Sequence, residues 1–135
     1  MFSQQEQALL DLPAFARLAT LMPDGSPQLT VMWYRRDDSC LRMITPAYAR
    51  KAHNLSRDPR VAVVVEEPGN PYRFVEIRGT VEVIQDDAAA RAELERIAAR
   101  YVGERAGDYV ANLSPDPRLL LVIHPEKTVY HPGGD

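Results

Sequence analysis

The 135 residues carry 16 Lys and Arg against 19 Asp and Glu, a formal net charge of −3, with 45% hydrophobic and 26% charged residues. That balance fits a globular chain folded as a single domain over residues 1–135 and argues against a nucleic-acid partner, because such binders carry a strongly basic face. A lone cysteine, Cys40, excludes an intrachain disulfide framework. No run of about eighteen apolar residues occurs and no basic-then-apolar segment opens the chain, so the expectations are a cytoplasmic location and no membrane partner.

In chain order, Ser3 and Glu6 have capping-box spacing and predict a short helix as far as Leu10 or Asp11. Alternation predicts a strand over residues 14–21, with Phe15, Arg17, Ala19 and Leu21 on one face. Pro23-Asp24-Gly25-Ser26 is a turn. Residues 27–36 alternate again, Leu29, Val31 and Trp33 against Thr30, Met32 and Tyr34, and bulky groups on both faces predict a central strand covered on both sides. A hairpin at 36–39 leads into a strand over 41–45. Residues 60–66 form a β-branched run, and Pro68-Gly69-Asn70-Pro71 is a second turn. A long strand follows over 72–84, where Gly79 marks a bulge or a close backbone approach. Asp86 and Asp87 open a helix that buries Leu94, Ile97, Ala98 and Tyr101 and stops at Gly103. Residues 104–117 read as a mobile loop, and 119–124 and 128–131 as the last strands. The sum is a mainly β fold with flanking helices, arranged as a small barrel.

One stretch carries most of the chemistry: Thr45-Pro46-Ala47-Tyr48-Ala49-Arg50-Lys51-Ala52-His53-Asn54-Leu55-Ser56-Arg57-Asp58-Pro59. Thr45 can cap a helix whose first position is Pro46, and Pro59 forbids its continuation. Tyr48, Ala52 and Leu55 share an apolar face, while Arg50, Asn54 and Arg57 fall on another with Lys51 beside them. A hydroxyl, free N–H groups and adjacent cations describe an anion site, and phosphate suits it. The same residues also describe a connector helix with solvated charges.

This stretch, T-x5-K-x2-NL-x2-DPRV, lies between Gly25-Ser26-Pro27 with Trp33 on one side and Asn70-Pro71-Tyr72-Arg73-Phe74-Val75-Glu76-Ile77-Arg78-Gly79 on the other. In that order and spacing the chain resembles the pyridoxamine 5'-phosphate oxidase-like family, in particular its probable deazaflavin-dependent oxidoreductases. The resemblance implies a split β-barrel of the FMN-binding type that pairs as a homodimer with cofactor sites at the interface. It implies a ring over Val31, Met32 and Trp33, and a phosphate against Thr45, Arg50 and Lys51 with Asn54 beside them. Tyr72 and Arg73 would contribute from nearby or from the partner subunit. The implied function is hydride transfer from reduced coenzyme F420 to a small organic substrate. The rivals are an FMN oxidoreductase on the same fold and a non-catalytic flavin carrier. Pyridoxamine-phosphate oxidation itself is not expected, since residues 129–135 lack the arginine-containing motif of that enzyme. Arg57 and Arg60 extend the positive surface past Lys51, where the longer anionic tail of the deazaflavin would lie. His53, His124 and His131 match no metal-site spacing, and no nucleophile elbow or glycine-rich phosphate loop is present.

Overall fold

The alternation in the sequence becomes seven strands in the computed structural model, which describes residues 1–134. They are β1 Ala16–Leu21, β2 Pro27–Met32, β3 Arg35–Asp37, β4 Cys40–Pro46, β5 Arg60–Glu67, β6 Asn70–Ile84 and β7 Arg118–Pro132. All pairings are antiparallel, and the sheet order is β2-β1-β5-β6-β7-β4-β3. Asp135, the last residue of the expected domain, lies outside the described residues.

The order puts consecutive strands β2 and β3 at opposite edges, yet only Trp33 and Tyr34 join them. From Met32 to Arg35 the chain spans at most about 11 Å, whereas seven flat strands would hold their edges roughly 29 Å apart. The sheet therefore curls until its two edges approach each other. Leu18, Val63, Val65, Ile77, Leu121 and Ile123 fill the inside of the curl. Burial of such side chains supplies the main driving force, at roughly 25 cal/mol per Å² of apolar surface.

Residues 27–36 thus do not form one central strand. β2 is an edge strand, and Leu29 and Val31 on its outer face are 66% and 63% exposed. The run breaks after Met32 because Tyr34 turns fully inward, its hydroxyl donating to the Leu10 carbonyl at 2.7 Å. The Tyr34 N–H then donates to the Tyr101 hydroxyl instead of to a neighbouring strand.

Helix α1, Gln4–Leu10, has the expected capping box between Ser3 and Glu6. Helix α3, Asp87–Val102, is capped by the Asp86 carboxylate and ends at Gly103, whose φ of 61° suits a residue without a Cβ. It buries Leu94, Ile97 and Ala98 as expected, and Ala90 and Glu93 besides, whereas Tyr101 is only half-buried. Residues 104–117 are not a loop throughout: a 3-10 turn, Gly103–Arg105, leads into α4, Ala106–Ala111. The segment after α4 is pinned by Arg91 and Arg118, which both donate to the Ser114 and Asp116 carbonyls. The last two expected strands are one, β7. Its pairing with β6 shifts register between Arg78 and Gly79, and a Cβ at Gly79 would collide with the His124 carbonyl. Pro125 thereby sits at a bulge rather than at a strand end.

Candidate functional site

Thr45 and Pro46 are the last residues of β4, and the chain turns through Ala47–Ala49 before helix α2, Arg50–Arg57. Thr45 is fully buried, and its hydroxyl donates to the Pro46 carbonyl, so it caps nothing. The helix cap is Ala49, with no side-chain hydrogen bond. The expected start at Pro46 fails because residues 45–46 are held in the β4–β7 ladder, opposite Leu119 and Arg118. Tyr48, expected on the apolar face, is 65% exposed, while Ala52 and Leu55 are buried.

α2 lays its inward face against β1 and β2. Asn54 is fully buried, and its amide nitrogen donates to Thr20 Oγ1 at 3.1 Å and Gln28 Oε1 at 3.2 Å. One turn earlier, the half-buried Lys51 ammonium donates to the Met32 sulfur at 3.2 Å. A thioether is a weak acceptor, and among the described residues no carboxylate lies within 4 Å of Lys51. Burial pushes the Lys51 pKa below the ordinary lysine value. Gln28, Thr30 and Met32 share the inner face of β2, so Thr30 stands between the two contacts. Thr30 Oγ1 and Asn54 Oδ1 are buried without a hydrogen-bond partner among the described residues. Each such atom costs about 1–3 kcal/mol. The seam between α2 and β2 thus holds an uncompensated cation and a buried Thr30 hydroxyl free to donate, which is the character of a site for a polar anion, while Asn54 Oδ1, an acceptor, calls for a donor instead.

The other cations near α2 are differently engaged. Arg50 is exposed. Arg57 donates to the Leu21 carbonyl and keeps its net charge. Arg60 pairs with Asp58 at 2.8 Å, and that guanidinium holds the Asp58 carboxyl down to about 2.

Val31, Met32 and Trp33 line a cleft of about 320 Å³, which Ile44 and Pro46 share from β4, Leu94 and Ile97 from α3, and Arg118 from β7. Trp33 stacks on Tyr101 with centroids 4.8 Å apart and tilts against Tyr109 at 5.2 Å. Tyr101 in turn donates to the Ala14 carbonyl at 2.6 Å. Arg100 closes this corner by donating to the Leu10 and Tyr34 carbonyls while its guanidinium lies 4.7 Å from the Tyr34 ring centre. Sequence reasoning did not single out Tyr34, Arg100, Tyr109 or Arg118. Only Tyr34 carried a signal, as the inward partner in the Trp33-Tyr34 alternation.

Tyr72 and Arg73 stand elsewhere, at the β5–β6 hairpin. Tyr72 is 70% exposed, and Arg73 is held by Glu67 at 3.0 Å and by the Tyr130 hydroxyl at 3.1 Å. Of the expected residues, Lys51 and Asn54 meet β2 at the seam, Lys51 through Met32, and Met32 joins Val31 and Trp33 on the adjoining cleft.

An antiparallel seven-stranded sheet with flanking helices is the architecture of the pyridoxamine 5'-phosphate oxidase-like fold. The chain belongs to the pyridoxamine 5'-phosphate oxidase family, whose sequence profile matches residues 2–131, and so to a family of oxidoreductases. It is 31% identical over 124 residues to the pyridoxine/pyridoxamine 5'-phosphate oxidase of Kineococcus radiotolerans, matching 91% of this chain and 53% of that one. The chain therefore spans about half the length of that relative. A solved structure named F420 reductase superposes with a TM-score of 0.78 at 31% identity, covering 95% of this chain and 98% of that one. A conserved hypothetical protein of Mycobacterium tuberculosis matches with the same score and identity, over 98% and 86%. No helix among the described residues is long and apolar enough to cross a membrane.

Proposed function

We propose that the chain is an oxidoreductase that uses coenzyme F420 to reduce a small organic molecule. The observation that carries this reading is the half-buried Lys51 with only a thioether for a partner among the described residues, near the unpartnered Thr30 hydroxyl. These residues fit a phosphate: Lys51 would hold it, with Arg50 at its edge, and Val31, Met32 and Trp33 would support the ring. The deazaflavin, when bound, supplies the hydride chemistry. The chain's own part is to bind, orient and exclude water, since the residues lining the Trp33 cleft include no carboxylate, imidazole or thiol. The likeness to an F420 reductase over nearly both whole chains supports the choice of cofactor.

The same reading takes the chain as one split-barrel domain that works as a cytoplasmic homodimer. The two-residue link between the edge strands supports the barrel, and exposed Leu29, Val31 and Phe15 on its outer side support a second copy. In such a dimer the exposed Tyr72 could reach the partner's cofactor. A second reading, an FMN oxidoreductase, is favoured by one feature. Asp58 offsets Arg60, which leaves only Arg50 and Arg57 for a longer anionic tail.

The test is Lys51→Ala. A charged hydrogen bond to phosphate contributes about 1.5–3 kcal/mol, so cofactor affinity should fall about ten- to hundredfold while cooperative melting persists. An unchanged dissociation constant in a folded variant removes the phosphate role.

A further inference from the structure

We propose that the Trp33 cleft takes a substrate with a flat apolar body and a carboxylate, and that Arg118 binds that carboxylate. The proposal rests on the reading that Val31, Met32 and Trp33 carry the ring, and it names the class of substrate that would lie beside it.

Arg118 opens β7 and is only 9% exposed, yet it lines both the 320 Å³ cleft and a second cleft of about 450 Å³ next to α2. Its backbone is fixed, with the N–H donating to Asp87 Oδ1 at 2.8 Å. On the side chain, only Nη1 is engaged, donating to the Asp116 carbonyl at 2.8 Å and the Ser114 carbonyl at 3.3 Å. Nε and Nη2 have no partner among the described residues. Among the described residues no carboxylate oxygen lies within 4 Å of this guanidinium, and the nearby Asp87 is turned to Arg91 at 2.8 Å and to the Arg118 N–H.

That sets Arg118 apart from the other sheltered arginines. Arg35 is held by Glu93, Arg36 by Asp11, Arg42 by Asp37 and Arg73 by Glu67. Arg100 has its carbonyls and two aromatic rings. A guanidinium this buried, with no ion pair of its own and only the more distant Asp87 as a counter-charge, gains from a ligand that supplies a closer one. Its planar fork matches the two oxygens of a carboxylate. The rest of the lining is mainly apolar, with the aromatic side chains of Trp33 and Tyr109 among it, and the cleft's volume suits a small ligand.

Trp33 is the sole tryptophan, so its fluorescence reports on the cleft without any cofactor. The full chain would be titrated with phenylacetate and with phenylacetamide, which share shape and differ in charge. Phenylacetate should bind at least about tenfold tighter, and Arg118→Gln should abolish that preference while Arg118→Lys restores part of it. Lys51→Ala should weaken cofactor binding and leave the preference for the acid in place. Equal affinity for acid and amide in the unmodified protein, or no response to either, overturns the proposal without recourse to a variant. So does a preference lost in Lys51→Ala and kept in Arg118→Gln. If Lys51→Ala leaves cofactor affinity unchanged while the acid preference persists, the cofactor reading falls and the role of Arg118 stands.

Discussion

Lys51 is the sheltered cation of the α2–β2 seam. The cation is sheltered from water with only sulfur to hold it, which favours its neutral form and lowers its pKa. The sign of the linkage follows: the unfolded chain holds this proton to higher pH, so the desolvation penalty on folding is present below the folded pKa and is relieved as pH rises through it. A bound phosphate reverses the preference by favouring the charged form. Cofactor binding in the alkaline window below the ordinary lysine pKa should therefore take up protons. Calorimetry in two buffers of different ionisation enthalpy would read this directly, and the difference should vanish in Lys51→Ala. Equal heats in both buffers throughout that window would mean that binding does not raise the protonation of Lys51. Lys51 could be picked out in the sequence because its motif spacing is local. Thr45 could not be placed correctly, since whether Thr-Pro opens a helix or ends a strand depends on the β4–β7 pairing with residues more than 70 positions away.

Among the elements, α3 and the β6–β7 ladder hold the site's surroundings in place. Glu93 on α3 is 2% exposed and accepts two hydrogen bonds from Arg35 at 2.7 and 2.8 Å, with Arg42 beside it at 3.6 Å. Glu93→Ala would leave that pair broken next to β3 and β4. It should destabilise the protein by about 3 kcal/mol in denaturant unfolding, a value typical of a sheltered pair that loses one partner. A loss below about 1 kcal/mol would show that the arginines find water instead. Gly79→Ala tests the bulge, because its methyl must displace the backbone of β7. A loss of about 2–3 kcal/mol is expected from such overpacking. Gly79 was legible as a bulge or close approach because a glycine inside a long alternating strand weakens it, a cost borne where a neighbouring backbone needs the space of a Cβ. The helix at 106–111 was not legible: six residues between a glycine and two prolines carry too short a period, and contacts with α3 and Tyr109 against Trp33 hold them.

At the scale of the molecule, seven antiparallel strands follow from period-two alternation and turn residues, and most of them could be read without coordinates. Their order could not. β2 looked central because both faces are apolar, whereas it lies at an edge with one face against α2 and the core and the other exposed. An edge strand that shows Leu29 and Val31 to solvent invites pairing with a second copy. We expect a homodimer in dilute solution by sedimentation, and Val31→Glu should convert it to monomer while retaining the fold. A monomeric unmodified protein that still binds cofactor would remove the shared site. Parallel titrations of the cofactor-free protein with coenzyme F420 and with FMN, followed by ring fluorescence, test the identity of that cofactor most directly. Tighter binding of the deazaflavin by at least about tenfold, or ~1.4 kcal/mol, is the predicted result; equal or tighter binding of FMN would contradict it.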